Sequence, residues 1–94
     1  MRLGERRLFR LNDEIAALGE SERLAEEELG FHRHLDDDTR RDAAASGSPI
    51  DRADLRDTSG DVARFERHLA ELRARRERLE ARRDRLLGRL GGGD

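Results

Sequence analysis

The chain has no cysteine, no tryptophan and no tyrosine, and only one proline and three phenylalanines among its 94 residues. Lysine is absent too, so all 20 positive side chains are arginine. Without cysteine there is no disulfide framework, no zinc ribbon and no thiol nucleophile. Hydrophobic residues make up 34% of the chain and charged residues 45%, which is too little apolar surface for a compact globule. That leaves a disordered chain, or long helices that bury one narrow seam. No apolar run approaches the ~20 residues of a membrane span, and no signal-type apolar core follows the start. A soluble, cytoplasmic protein is therefore expected. There is no phosphate-cradling glycine loop and no serine beside a histidine, so neither an enzyme nor a cofactor is expected.

What the chain does have is period. Val62, Phe65, Leu69, Leu72, Leu79, Leu86 and Leu90 follow alternating three- and four-residue spacing, with Arg76 and Arg83 in the two gaps. This is a heptad seam with two polar positions. Leu8, Leu11, Ile15, Leu18, Ala25 and Leu29 form a second seam, with Glu22 and His32 in its frame. Leu24, Phe31 and Leu35 lie beside that seam and widen its apolar face beyond what one neighbour covers.

Between the seams runs "SGSPIDRADLRDTSGD", residues 46–61, which holds the only proline. Folding the chain about Gly47 brings the seams into register, with Leu8 opposite Leu86, Ile15 opposite Leu79 and Leu29 opposite Phe65. The expected fold is all-α, a long antiparallel two-helix coiled-coil hairpin. Its first arm is predicted over about 3–44, its tip over about 45–51, its second arm over about 52–90, and a disordered tail over 91–94. Ser48 is a candidate helix cap, with Pro49 at the first helical position and Asp51 completing a capping-box variant. Gly60 either lies within one continuous helix or marks a kink, Thr58 then capping a separate helix. Each arm of about 40 residues would be ~60 Å long. Two helices alone leave the widened face wet, so a homodimer forming a four-helix bundle is expected, unless a larger partner covers it.

Four groups of residues are candidate sites. The first is the tip, with Ser48, Asp51, Ala53 and Asp54 on one side of the break and Asp36, Asp37 and Asp38 on the opposing arm. Helix-dipole complementarity accounts for one or two carboxylates at a helix start, but not for three adjacent aspartates. The second is an ion pair across the seam between Glu22 and Arg76. The third is a basic arm, with Arg75, Arg78, Arg82 and Arg85 as its main residues. Interleaved acids such as Glu71 favour reading that arm as a salt-bridged, solvated face, with no sequence-specific nucleic-acid binding expected. The fourth is the histidines. His32 and His68 come near each other across the hairpin, with Asp36 one turn from His32, but ordinary seam and surface histidines are expected and no metal.

Charge is uneven along the chain. Residues 36–61 carry 4 arginines against 8 acids, whereas residues 62–94 carry 10 against 6. An acidic middle is thus followed by a basic arm.

The stretch Ser48-Pro49-Ile50-Asp51-Arg52-Ala53 resembles the D-P-x-D-x-A tip motif of the DksA/TraR regulators of bacterial RNA polymerase. Asp51 matches the second motif aspartate and Ala53 the alanine. Ser48 stands where the family has its first aspartate, and the family's cysteine zinc module has no counterpart. The resemblance implies a protein partner, RNA polymerase, whose secondary channel the acidic tip would enter to act near the catalytic Mg²⁺. The alternative is a homodimeric coiled-coil adaptor whose tip only closes the turn.

Overall fold

The computed structural model describes residues 2–91. It consists of two α-helices, α1 (Leu3–Ser46) and α2 (Pro49–Gly91), with no strand among the described residues. The all-α helical hairpin read from the heptads is the observed fold.

The chain divides into two compact units, a terminal unit of Met1–Glu22 with Glu71–Asp94 and a turn unit of Arg23–Ala70. In the turn unit, the seam positions Ala25, Leu29, His32, Asp36, Thr39 and Ala43 on α1 and Leu55, Thr58, Val62, Phe65 and Leu69 on α2 are all buried or half-buried, as are Asp38 and residues 59–61 and 63. The seam spacings alternate between three and four residues, the period that keeps one stripe facing a partner helix. In the terminal unit, the same period runs through Leu8, Leu11, Ile15, Leu18 and Glu22 on α1. On α2 it runs through Leu72, Arg76, Leu79, Arg83 and Leu86. Leu18, Leu79 and Leu86 are buried in the terminal unit, and Ala25, Leu29 and Leu69 in the turn unit. Burying one leucine contributes about 1.5–3 kcal/mol, so a few such layers per unit carry most of the stability.

Within each unit the direction of pairing is fixed by its own contacts. In the turn unit, Thr39 and Thr58 share a hydrogen bond of 2.7 Å, and Arg33 pairs with Glu66 at 3.5 Å. In the terminal unit, Glu22 meets Arg76, and Leu90 packs over Gly4. Numbers that rise along α1 fall along α2, so the helices are antiparallel.

The reversal is tighter than the sequence suggested. Only Gly47 and Ser48 separate the two helices, where the sequence predicts a tip of residues 45–51. Ala43, Ala44 and Ala45 are strong helix formers and extend α1 to Ser46. Gly47 then ends it in the left-handed region, φ 62°, which a side chain would disfavour. Its N–H bonds the Ala43 carbonyl at 2.8 Å. α2 starts at Pro49 rather than at residue 52, because proline's missing N–H and fixed φ suit the first helical position. At the other end Gly91 is the last residue of α2, not part of a tail, and residues 92–94 of the expected tail lie outside the described residues. Of the two readings of Gly60, the continuous helix is the observed one: α2 passes through Gly60 unbroken, and Thr58 caps nothing.

Candidate partner-binding site at the turn

Ser48 caps α2. Its hydroxyl accepts the Asp51 N–H at 3.1 Å, and its carbonyl accepts the Arg52 N–H at 3.0 Å. In a simple capping box the Asp51 carboxylate would return to the Ser48 N–H. Here Ser46 stands between them. The Ser48 N–H donates to Ser46 Oγ at 3.1 Å, and the Ser46 hydroxyl donates to Asp51 Oδ2. Asp51 is half-buried and engaged in this relay, and Ala53 is half-buried beside it. Asp54 is exposed and, among the described residues, without an ion-pair partner. The most protruding apolar side chain here is Ile50, 75% exposed, which sequence reasoning had passed over.

The three aspartates on α1 have separate roles. Asp36 is drawn into the seam, its side chain 14% exposed. Its Oδ1 accepts hydrogen bonds from Ser59 Oγ at 2.7 Å and Thr58 Oγ1 at 2.9 Å, and Arg40 reaches its Oδ2 at 3.3 Å. With the Thr58 proton committed to the carboxylate, the Thr39 hydroxyl can donate to Thr58 Oγ1. The Ser59 bond chiefly, then those from Thr58 and Arg40, hold the Asp36 carboxyl below its ordinary value, outweighing the opposing effect of burial. Asp38 is tied to Arg41 and lies 3.8 Å from His34. Asp37 is exposed. The expected carboxylate cluster is thus one seam residue, one locally paired residue and one exposed residue.

His32 sits in the seam with its ring stacked on Phe65, centroids 4.5 Å apart, and Phe31 meets it edge-on at 5.6 Å. Among the described residues no group of three His, Cys, Asp or Glu side chains is placed to hold a metal ion. Beside these rings lies an open depression lined by Arg64, Phe65 and His68. On the α1 face of the same unit, Leu24 is 49%, Phe31 61% and Leu35 37% exposed.

In the terminal unit, Glu22 and Arg76 form the seam ion pair. Arg76 Nε donates to Oε2 at 2.6 Å and Nη2 to Oε1 at 3.1 Å. Arg76 Nη1 also donates to Glu80 at 2.6 Å, and Arg73 lies 3.9 Å from Glu22. The Glu22 hydrogen bonds chiefly, with the charges of Glu22 and Glu80, raise the Arg76 pKa, so this guanidinium stays charged.

The basic arm differs from its expected form. Arg75, Arg78, Arg82 and Arg85 are exposed, and among the described residues none forms an ion pair, not even Arg75, which has Glu71 four residues before it. The interleaved acids serve other arginines: Glu80 pairs with Arg76 and Asp84 with Arg83.

Among the described residues no helix is long and apolar enough to cross a membrane. Compared with known proteins, the chain matches no family model, no curated protein and no solved structure.

Proposed function

We propose that the chain is a non-enzymatic protein-interaction hairpin whose turn unit faces the partner. The observation that carries this reading is the set of large apolar side chains left exposed there, Leu24, Phe31, Leu35 and Ile50. They occur in a unit that otherwise carries 12 acids against 8 arginines. Apolar anchors within a charged surface mark contact sites for another protein.

The sharper form of the proposal names RNA polymerase as the partner and its secondary channel as the place where the turn docks. The Pro49-x-Asp51-x-Ala53 pattern and the two-residue turn support it. The Ser46 relay shifts the working carboxylate from Asp51 to the exposed Asp54, with Ile50 as the apolar contact. Binding of the intact chain to polymerase core enzyme tests this, with transcription from a sensitive promoter as a second readout. Wild type should bind and alter output, Ile50→Ala should weaken binding, and Asp54→Asn should bind but lose the effect. No binding by wild type would overturn the polymerase reading.

A second reading is favoured by the alignment of Leu24, Phe31 and Leu35 on one side of α1. In that reading a second copy covers the face and the chain is a homodimeric adaptor.

A further inference from the structure

Five arginines on α2, Arg75, Arg78, Arg82, Arg85 and Arg89, recur at three- and four-residue intervals, so they share one face of the helix. Over this stretch they span ~21 Å, with about 5 Å of rise between neighbours. From α1, Arg7 and Arg10 come to the same side. An open groove is lined by Arg7, Leu11, Arg82, Arg85, Leu86 and Arg89. A second depression shares Arg7, Leu11 and Arg82 with it and adds Arg10 and Glu14.

All seven arginines are exposed, and among the described residues none has an ion pair or a side-chain hydrogen bond. This is selective. In the same stretch of α2, Arg76 and Arg83 hold carboxylates, and Arg73 approaches Glu22. Glu77, Glu80 and Asp84 fall outside the five-arginine register; Glu71, one turn before Arg75, and Glu14, at the second depression, are acids that border it. Like charges this close repel unless an anion from outside neutralises them.

We propose that this face of the terminal unit binds the phosphate backbone of double-stranded nucleic acid without reading its sequence. Guanidinium forks match phosphate oxygens bidentately, and a row of them neutralises successive phosphates. Along α2 the arginine register holds no large exposed apolar side chain, Leu87 lying on the side of Arg76 and Arg83. On α1 Leu3, 63% exposed and in register with Arg7, is a single apolar contact, too little for the anchor cluster of a protein partner or the apolar face that a lipid surface accepts. It has no aromatic ring to stack unpaired bases, which favours a duplex over a single strand.

The test is fluorescence anisotropy of the full chain with a labelled duplex of about 20 base pairs, titrated across a salt series. Five to seven neutralised phosphates predict a log–log salt slope of about −4 to −6, and binding about 10³-fold weaker at 200 mM than at 50 mM salt. Changing the duplex sequence should leave affinity unchanged. Arg82→Gln with Arg85→Gln should make the slope shallower by about 2 and weaken binding at least tenfold at low salt. Arg82→Lys with Arg85→Lys should keep most of the binding, and Arg52→Gln with Arg56→Gln in the turn unit should change nothing. Circular dichroism of each variant separates lost binding from lost fold. The proposal is overturned if wild type gives no anisotropy change at about 50 mM salt. It is equally overturned if polyglutamate competes as well as duplex at equal charge, which would assign the face to an acidic protein. Stronger binding to anionic phospholipid vesicles than to duplex would overturn it in favour of a membrane surface.

Discussion

Glu22 accepts two hydrogen bonds from the one guanidinium of Arg76, at 2.6 and 3.1 Å, and is the one buried charged side chain among the described residues. The two partners are not equivalent. Arg76 also holds Glu80, whereas among the described residues Glu22 has in reserve only Arg73, 3.9 Å away. Arg76→Leu should therefore lower the melting temperature more than Glu22→Leu, because it leaves the more buried charge without its close partner. The double Leu variant should melt at or above wild type, since apolar replacements of a buried pair are often neutral or stabilising. It should also broaden the distribution of oligomers, because a polar seam position restricts register and assembly. Thermal melts with sedimentation velocity check both parts. Additive single-variant losses would mean that the two side chains do not support each other.

Acid should loosen the turn unit through Asp36. Its carboxyl is held below the ordinary value of 3.8, chiefly by Ser59, then by Thr58 and Arg40. The unfolded chain takes up this proton more readily than the folded one. The stabilisation is therefore fully present above the unfolded value and is lost as pH falls through the folded one. Melts from neutral pH down to about pH 2 should show Asp36→Asn less stable than wild type at neutral pH, the two converging below about pH 4. A gap that persists unchanged into acid would mean that the hydroxyls hold shape rather than charge.

How much of this could be read beforehand depends on which residues report on tertiary neighbours. The hairpin was legible because the heptad seams run through leucines that have no other reason to recur at that spacing. The turn boundaries were not, because "DAAASGS" reads as a linker by composition, yet three alanines continue a helix once Gly47 supplies its end. By composition Asp36 groups with Asp37 and Asp38 as one acidic part of the tip. The seam frame already put it, with Thr39 and Thr58, at positions that face the other helix. The basic arm was misread for a similar reason. Counting acids between the arginines suggested pairing, but heptad position decides which arginine an acid can reach. By that criterion Arg78, Arg82, Arg85 and Arg89 stand apart, with no acid three or four residues away, whereas Arg75 has Glu71 in reach and is still without an ion pair among the described residues. Ser46 left no signal, since its place in the cap depends on a turn of only two residues.

Gly60 lies mid-helix in α2, and a methyl group added there would meet nothing within 4 Å. Gly60→Ala should therefore stabilise the hairpin by ~0.5–1 kcal/mol, through helix propensity and reduced freedom of the unfolded chain. For a domain of this size that corresponds to a rise in melting temperature of about 2–8 °C. Gly30 is open in the same way on α1, and Gly30→Ala should add a similar increment, because it lies on the other helix and shares no named contact with Gly60. A fall in melting temperature on either substitution would show that a bend at that glycine is needed.

The face formed by Leu24, Phe31 and Leu35 distinguishes the homodimer from a foreign partner. Each of the three side chains is more than a third exposed in the single chain, so replacing them removes little intramolecular packing. Surface substitutions of this kind cost the isolated hairpin about 0.5 kcal/mol or less each. If a second copy covers the face, wild type should sediment as a dimer at high concentration, and its melting temperature should rise with concentration. Leu24→Glu with Phe31→Glu would then place like charges on both sides of the two-fold contact. The variant should sediment as a monomer, keep its helix content and lose the concentration dependence. Wild type that remains monomeric at about 100 µM, well above a micromolar dissociation constant, rules out the homodimer. The same apolar side chains then remain open to a different protein. In that case the double Glu variant should abolish capture of the partner while shifting the monomer's melting temperature by no more than about 8 °C.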